Sequence, residues 1–172
     1  MEVFEAIRGR RSIRNFEDRP VGKEVLQRLI EAGIWAPSGG NAQTWRFIVV
    51  TEKHMLNKIK MLSPGLLGDP PAVIVVCQNR KEAERKGGRL GVELVSVMDT
   101  AMSAQNIMLA ACALDLGTCP IASFHREGIQ RLLRLPEEIF PHLLISVGYP
   151  KGAPNPPERQ TEGICFFEEY RG

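Results

Sequence analysis

Arg10-Arg11-Ser12-Ile13-Arg14 packs three guanidinium groups and a hydroxyl into five residues. Guanidinium forks and hydroxyls donate to anionic oxygens, so the set suits a dianionic phosphate. Arg10 and Arg14 are four apart, and a helical backbone would bring them to one face with Ser12 in reach. The same cations would also serve as the basic end of a helix facing water, complementing its dipole. A second segment, Pro37-Ser38-Gly39-Gly40-Asn41-Ala42-Gln43, offers different chemistry. Pro37 stiffens the chain, the two glycines let a flat ligand approach the backbone, and Ser38, Asn41 and Gln43 supply donors and acceptors. Such a loop can read the edge of a polar heterocycle, and the same residues also make ordinary connections between a helix and a strand.

The other reactive side chains narrow the chemistry. His54, His125 and His142 have no partner at metal-ligand spacing. There is no P-loop, no Gly-x-Ser-x-Gly and no Gly-x-Gly-x-x-Gly after a strand. Cys77, Cys112, Cys119 and Cys165 are widely spread without a Cys-x-x-Cys pair, which fits free thiols in a reducing cytoplasm. Cys119, flanked by apolar residues, reads as packing rather than as a redox group. Lys and Arg total 22 against 20 Asp and Glu, a net charge of +2 that gives no field to draw nucleic acid. The Arg8 to Arg14 patch is short and lacks the interleaved aromatics of a nucleic-acid surface.

These segments need a frame, and the hydrophobic pattern supplies one. At 172 residues and 44% hydrophobic content the chain can bury the core of one domain, residues 1–172. Val3, Phe4 and Ile7 predict a short amphipathic helix just before Arg10, and Lys23 to Ile34 a second that leads into the Pro37 loop. Arg46 to Val50 and Ala72 to Cys77 read as buried strands on either side of a helix over 52–61. Residues 91–114 form the longest helical pattern, apolar on more than one face, which predicts burial that includes a partner subunit. Asp99 and Gln105 inside it should make structural hydrogen bonds at that contact. Gly117 is expected to cap this helix, 118–122 to extend, 125–135 to form a short helix and 142–147 a strand. From Gly148 to Pro157 four prolines prevent regular structure, so 148–172 reads as an extended arm, with strand character at 163–167. No stretch has the apolar length of a signal peptide or membrane span, and a soluble cytoplasmic protein with no membrane partner is expected.

Taken in order, Arg10-Arg11-Ser12-Ile13-Arg14 and Pro37-Ser38-x-x-Asn41-x-Gln43-x-Trp45 resemble the motifs of the nitroreductase family of flavin enzymes. The long central helix, Gly117-Thr118-Cys119-Pro120-Ile121-Ala122-Ser123-Phe124, the Gly148-Tyr149-Pro150 turn and a basic tail follow in the family's sequence. The resemblance implies an α+β fold with helices around a mixed, mainly antiparallel sheet. It also implies a homodimer with swapped tails and two FMN molecules at its interface. On FMN it places Arg10, Arg11, Ser12 and Arg14, with Arg159 beyond the arm on the flavin phosphate and Lys151 as a weaker candidate. Pro37, Ser38, Gly39 and Asn41 would line the partner's flavin while Gln43 and Trp45 support the loop, and Pro120, Ile121 and Ala122 would run under the ring. The implied reaction is ping-pong hydride transfer from NADH or NADPH through the flavin to nitroaromatics, quinones or similar acceptors, with no catalytic residue assigned. A non-catalytic FMN-binding or flavin-sequestering protein on the same fold is the alternative. The 61–71 region is too brief to carry the long lid or extra helices of larger members.

Overall fold

The computed structural model describes residues 1–170; Arg171 and Gly172, the last two residues of the expected arm, lie outside the described residues. Helices α1 (Val3–Gly9) and α2 (Lys23–Ile34) come first, followed by a single 3₁₀ turn at Gly39–Asn41. Strand β1 (Trp45–Val50), helix α3 (Lys53–Met61), strand β2 (Ala72–Asn79) and helix α4 (Arg80–Leu90) come next. A π-helical turn at Gly91–Val95 then feeds α5 (Ser96–Ala113). Strand β3 (Gly117–Ile121), helix α6 (Arg126–Leu132) and strand β4 (Ile139–Gly148) complete the body. The strands form one sheet in the order β1-β2-β4-β3, every neighbouring pair antiparallel. The expected mixed character reduces to one parallel bridge, Ser12 to Thr118.

Central strand β2 explains the layering. Its side chains alternate between faces, yet Ala72 through Gln78 are all buried, so both faces must be covered. Ala72, Ile74 and Val76 join Leu26 and Leu29 of α2 and Ala104, Ile107 and Ala111 of α5 in one apolar cluster. Val73, Val75 and Cys77 join Ile59 of α3 and Ile129 of α6 in the other. Each fully buried Leu or Ile contributes about 1.5–3 kcal/mol, so the two clusters hold the helices to a shared sheet. Burial also pushes the Cys77 thiol up to about 12, leaving it inert.

Several expectations need correction. The 91–114 pattern divides, because the π turn takes 91–95 and α5 ends at Ala113. Gly117 is not the cap: Asp115 takes the left-handed conformation at φ 58°, and Gly117 opens β3. Gly117 is small for another reason, since a Cβ there would lie 2.7–2.8 Å from Ile13. Residues 163–167 form no strand, because within one chain they meet no sheet edge to pair with; residues 151–170 are exposed throughout. Helix α4 was unforeseen because Ala83 is its sole buried residue, although Asn79-x-x-Glu82 carried a start signal: the Glu82 amide donates to Asn79 Oδ1 at 3.0 Å.

One irregularity of the sheet organises a buried polar chain. The β2–β4 register passes from Val76–Leu143 to Cys77–Pro141, which leaves His142 as the extra residue of a bulge. His142 Nε2 meets Gln78 Oε1 at 2.7 Å, while Gln78 Nε2 donates to Val92 O at 2.9 Å and Ser96 Oγ at 2.7 Å. Since the Gln78 amide faces His142 with its oxygen, the network assigns the proton to His142 Nε2.

Candidate functional site

Helix α1 stops at Gly9, and Arg10 has φ −56° and ψ 130°, so the chain beyond it is extended rather than helical. The helical face expected for Arg10 and Arg14 is therefore absent. Extended alternation restores the grouping by another route: Ile13 turns into the core at 5% exposure, leaving Arg10, Ser12 and Arg14 on the opposite side. The Ile13 N–H donates to Thr118 O at 2.9 Å, docking this segment along β3. Arg11 behaves as a helix-end cation, its guanidinium donating to Arg8 O and, at 2.8 Å, to Arg10 O. Gly68, at φ 73°, closes the other side, because any Cβ there would overlap the Arg14 carbonyl.

A cleft of about 330 Å³ follows, lined by Ser12, Ile13, Arg14, Asn15 and Lys151 to Pro154. The Lys151 amide donates to Asn15 O at 3.0 Å, which fixes the start of the arm against the Arg14 segment. The Arg14 guanidinium and Lys151 ammonium are exposed and have no partner among the described residues. Arg159, by contrast, lies in the exposed tail rather than in this cleft. On β3, Pro120 sits on the sheet edge, where a missing N–H is tolerated; Ile121 is buried and Ala122 is exposed just beyond the strand. Cys119 is buried, its Sγ 3.7 Å from Pro120 O.

The second group of candidates stands elsewhere. In the Pro37 loop, Gly40, Asn41 and Gln43 all have positive φ, at 56°, 53° and 50°. For non-glycine residues this costs of order 1–3 kcal/mol each and persists only where surroundings enforce it. Ser38 Oγ accepts the Gln43 amide at 3.1 Å, and Gln43 Nε2 donates to Asn41 Oδ1 at 2.9 Å. Trp45, buried at 5% exposure, anchors the loop's exit at the start of β1. Below, Asp99 Oδ1 accepts the Gly39 N–H at 3.2 Å, so Asp99 makes a structural hydrogen bond, to the loop of its own chain; Gln105 is exposed. From α4, Lys86 Nζ donates to Ala42 O at 2.6 Å. Sequence reading missed Lys86 because α4 itself was missed.

The topology keeps the two groups apart. Loop 37–43 leads into β1 and Ser12 docks on β3, which are opposite edges of the sheet. Three strand spacings, roughly 14 Å, separate those edges. Thr118 is level with Ala72 through Val147, whereas Trp45 is level with Gln78, adding roughly 20 Å along the strand direction. Helix α5 spans the gap, touching Gly39 through Asp99 and lying against Gly9 at Cys112, whose Sγ is 3.7 Å from where a Gly9 Cβ would be. Burial pushes the Cys112 thiol up, with Arg10 and Arg11 pulling the other way.

Comparison with known proteins matches this frame. The Nitroreductase family profile matches residues 7–64 and 58–149. A provisionally named NADH dehydrogenase/NAD(P)H nitroreductase of Methanothermobacter thermautotrophicus is 36% identical over 165 residues, spanning 92% of this chain and 82% of that protein. An FMN reductase (NAD(P)H) of Bacillus subtilis is 31% identical over 185 aligned positions, spanning 98% of this chain and 74% of its own length. The crystal structure of an FMN-dependent nitroreductase from Clostridium difficile superposes with a TM-score of 0.84 at 26% identity, covering 97% of this chain and 99% of that one. The profile match and the 36% identical relative together show that the chain belongs to the nitroreductase family.

Proposed function

We propose that the protein is an FMN-dependent oxidoreductase that takes electrons from NADH or NADPH, working as a homodimer with its site shared between subunits. The observation that carries this reading is the separation just described. The anion-binding cleft and the heterocycle-reading loop lie on opposite sheet edges of one chain, so a ligand that uses both needs a second copy. Three further features support the second copy. Met98 and Met102 of α5 and Trp35 at the end of α2 are exposed at 48%, 39% and 80%. The outer edge of β1 has no strand beside it, and the tail carries exposed Ile164, Phe166 and Phe167 with no body to cover.

The residues present fit FMN. Cations unpartnered among the described residues and a hydroxyl at the first cleft match a phosphate, and β3, on which Ser12 docks, is an edge strand of the sheet. Arg10, Ser12, Arg14 and Lys151 would hold the phosphate, with Arg11 stiffening the segment from the end of α1. Arg159 would reach the phosphate only once the tail is placed by assembly. Pro120, Ile121 and Ala122 would lie under the ring, and Pro37, Ser38, Gly39 and Asn41 of the second copy would close it. The chemistry FMN supplies when bound is hydride acceptance from NAD(P)H and reduction of an electron-poor acceptor such as a quinone or nitroaromatic. The protein's part is to bind, orient and leave one face open, which requires no proton-transfer residue.

Anaerobic titration of FMN-reconstituted protein with NADH and then NADPH tests this. Bleaching of the visible flavin spectrum, restored by a quinone, is the expected result and identifies the donor. A bound flavin that neither nucleotide bleaches would replace the enzyme with a flavin-sequestering protein.

A further inference from the structure

A second cleft of about 300 Å³ lies between the Pro37 loop and the unit formed by α4, the π turn and α5, lined among others by Gly39, Thr44, Lys86, Val95 and Asp99. Its two charged side chains both spend themselves on the loop backbone. Asp99 accepts from Gly39 N–H, and Lys86 donates to Ala42 O. The two loop groups are the start and end of the single 3₁₀ turn, whose closing bond runs from the Ala42 N–H to Gly39 O at 3.1 Å. Val95 is pressed against Gly39 so closely that no side chain could replace the glycine hydrogen.

Asp99 is 2% exposed, and its Oδ2 has no partner among the described residues. Thr44 Oγ1, at the same cleft, is also buried and without a partner among the described residues. A carboxyl group buried with one oxygen unsatisfied is costly. What the carboxyl provides is an acceptor for the Gly39 amide, which has no other acceptor among the described residues. The loop needs such a restraint because three of its residues adopt left-handed backbone conformations.

We propose that Asp99 and Lys86 are positioning residues that clamp the strained 37–43 loop from its two ends and so preset Ser38 and Asn41 for the ligand. The effect on flavin rests on the function proposed above, whereas the effect on the loop does not. Gly88 lies directly after Lys86 and Gly87, with φ 58° and ψ −152°, so α4 breaks its helical path just past the clamp.

The test is hydrogen exchange of flavin-free protein, followed by FMN titration. Replacing Asp99→Leu should speed exchange of the 38–43 amides about ten-fold or more, the scale of a lost charge-assisted bond, and weaken FMN by a similar factor. Lys86→Met, at an exposed position that leaves the core intact, should do the same to a smaller extent. Asp99→Asn keeps an acceptor oxygen and should restore most of the protection, a rescue that a general packing role would not produce. Wild-type exchange in the loop of Asp99→Leu or Lys86→Met would overturn the proposal, as would failure of Asp99→Asn to rescue. Loosened loops in a protein that binds no FMN in any form would support the clamp and reject the flavin assignment.

Discussion

Arg14 and Gly117 illustrate two ways a single residue would govern the cleft proposed to take the flavin phosphate. Arg14 is exposed and contributes little to the fold, so Arg14→Ala should leave stability unchanged and weaken FMN binding by about 1.5–3 kcal/mol, measurable by calorimetry. Gly117 is packed against Ile13, so an added Cβ forces a shift of Ile13, the residue next to the Ser12 bridge. Gly117→Ala should therefore cost about 1–3 kcal/mol in chemical denaturation and also reduce FMN affinity. His142 acts on stability through pH. Burial first, then the charges of Arg80 and Arg126, lower its pKa from 6.5 to about 4. The unfolded chain then binds the extra proton between those values, so the stabilisation is complete above about pH 6.5 and is lost as pH falls toward 4. Melting temperature should fall across that window, and His142→Gln should flatten the slope.

At the scale of elements, the helices differ in what holds them. Helix α4 is a surface element tied by its Asn79 cap and by the Arg46–Glu82 ion pair at 2.8 Å, and it contributes position more than stability. Helix α5 packs both ways: Ser103, Ile107 and Ala111 face the core, while Met98 and Met102 stand on an uncovered stripe. If the proposed homodimer covers this stripe, replacing Met98 and Met102 with Glu should leave the subunit folded and raise the dissociation constant of that dimer by at least about ten-fold, since a buried unpaired charge costs several kcal/mol. Sedimentation would read this, and FMN affinity should fall with assembly. Core strands and long helices were legible because their apolar spacing is regular. Helix α4 was hidden by its polarity, and the π turn by a sequence that differs little from the helix it interrupts.

For the whole molecule, sequence order named the pieces of the candidate site and topology decides which of them lie together in one chain. Arg10, Ser12 and Arg14 could be grouped from their spacing, although by helical rather than extended geometry. Lys151 joins them because its own amide, early in the arm, is hydrogen-bonded to Asn15, and no local pattern announces a contact between positions so distant in sequence. The opposed placement of the Pro37 loop follows from strand order, which spacing along the chain does not encode. That strand order also governs how the chain can be made. Strand β4 is the last element of the body and lies between β2 and β3, so the middle of the sheet is synthesised after its surroundings. Until Ile139–Gly148 emerges, β1 and β2 can pair only as a two-stranded ribbon with the edge that β4 will cover left bare, and β3 lacks its strand partner β4. A nascent chain therefore carries an unfinished sheet for most of its synthesis, and a truncation before Ile139 should aggregate rather than persist as a smaller folded unit.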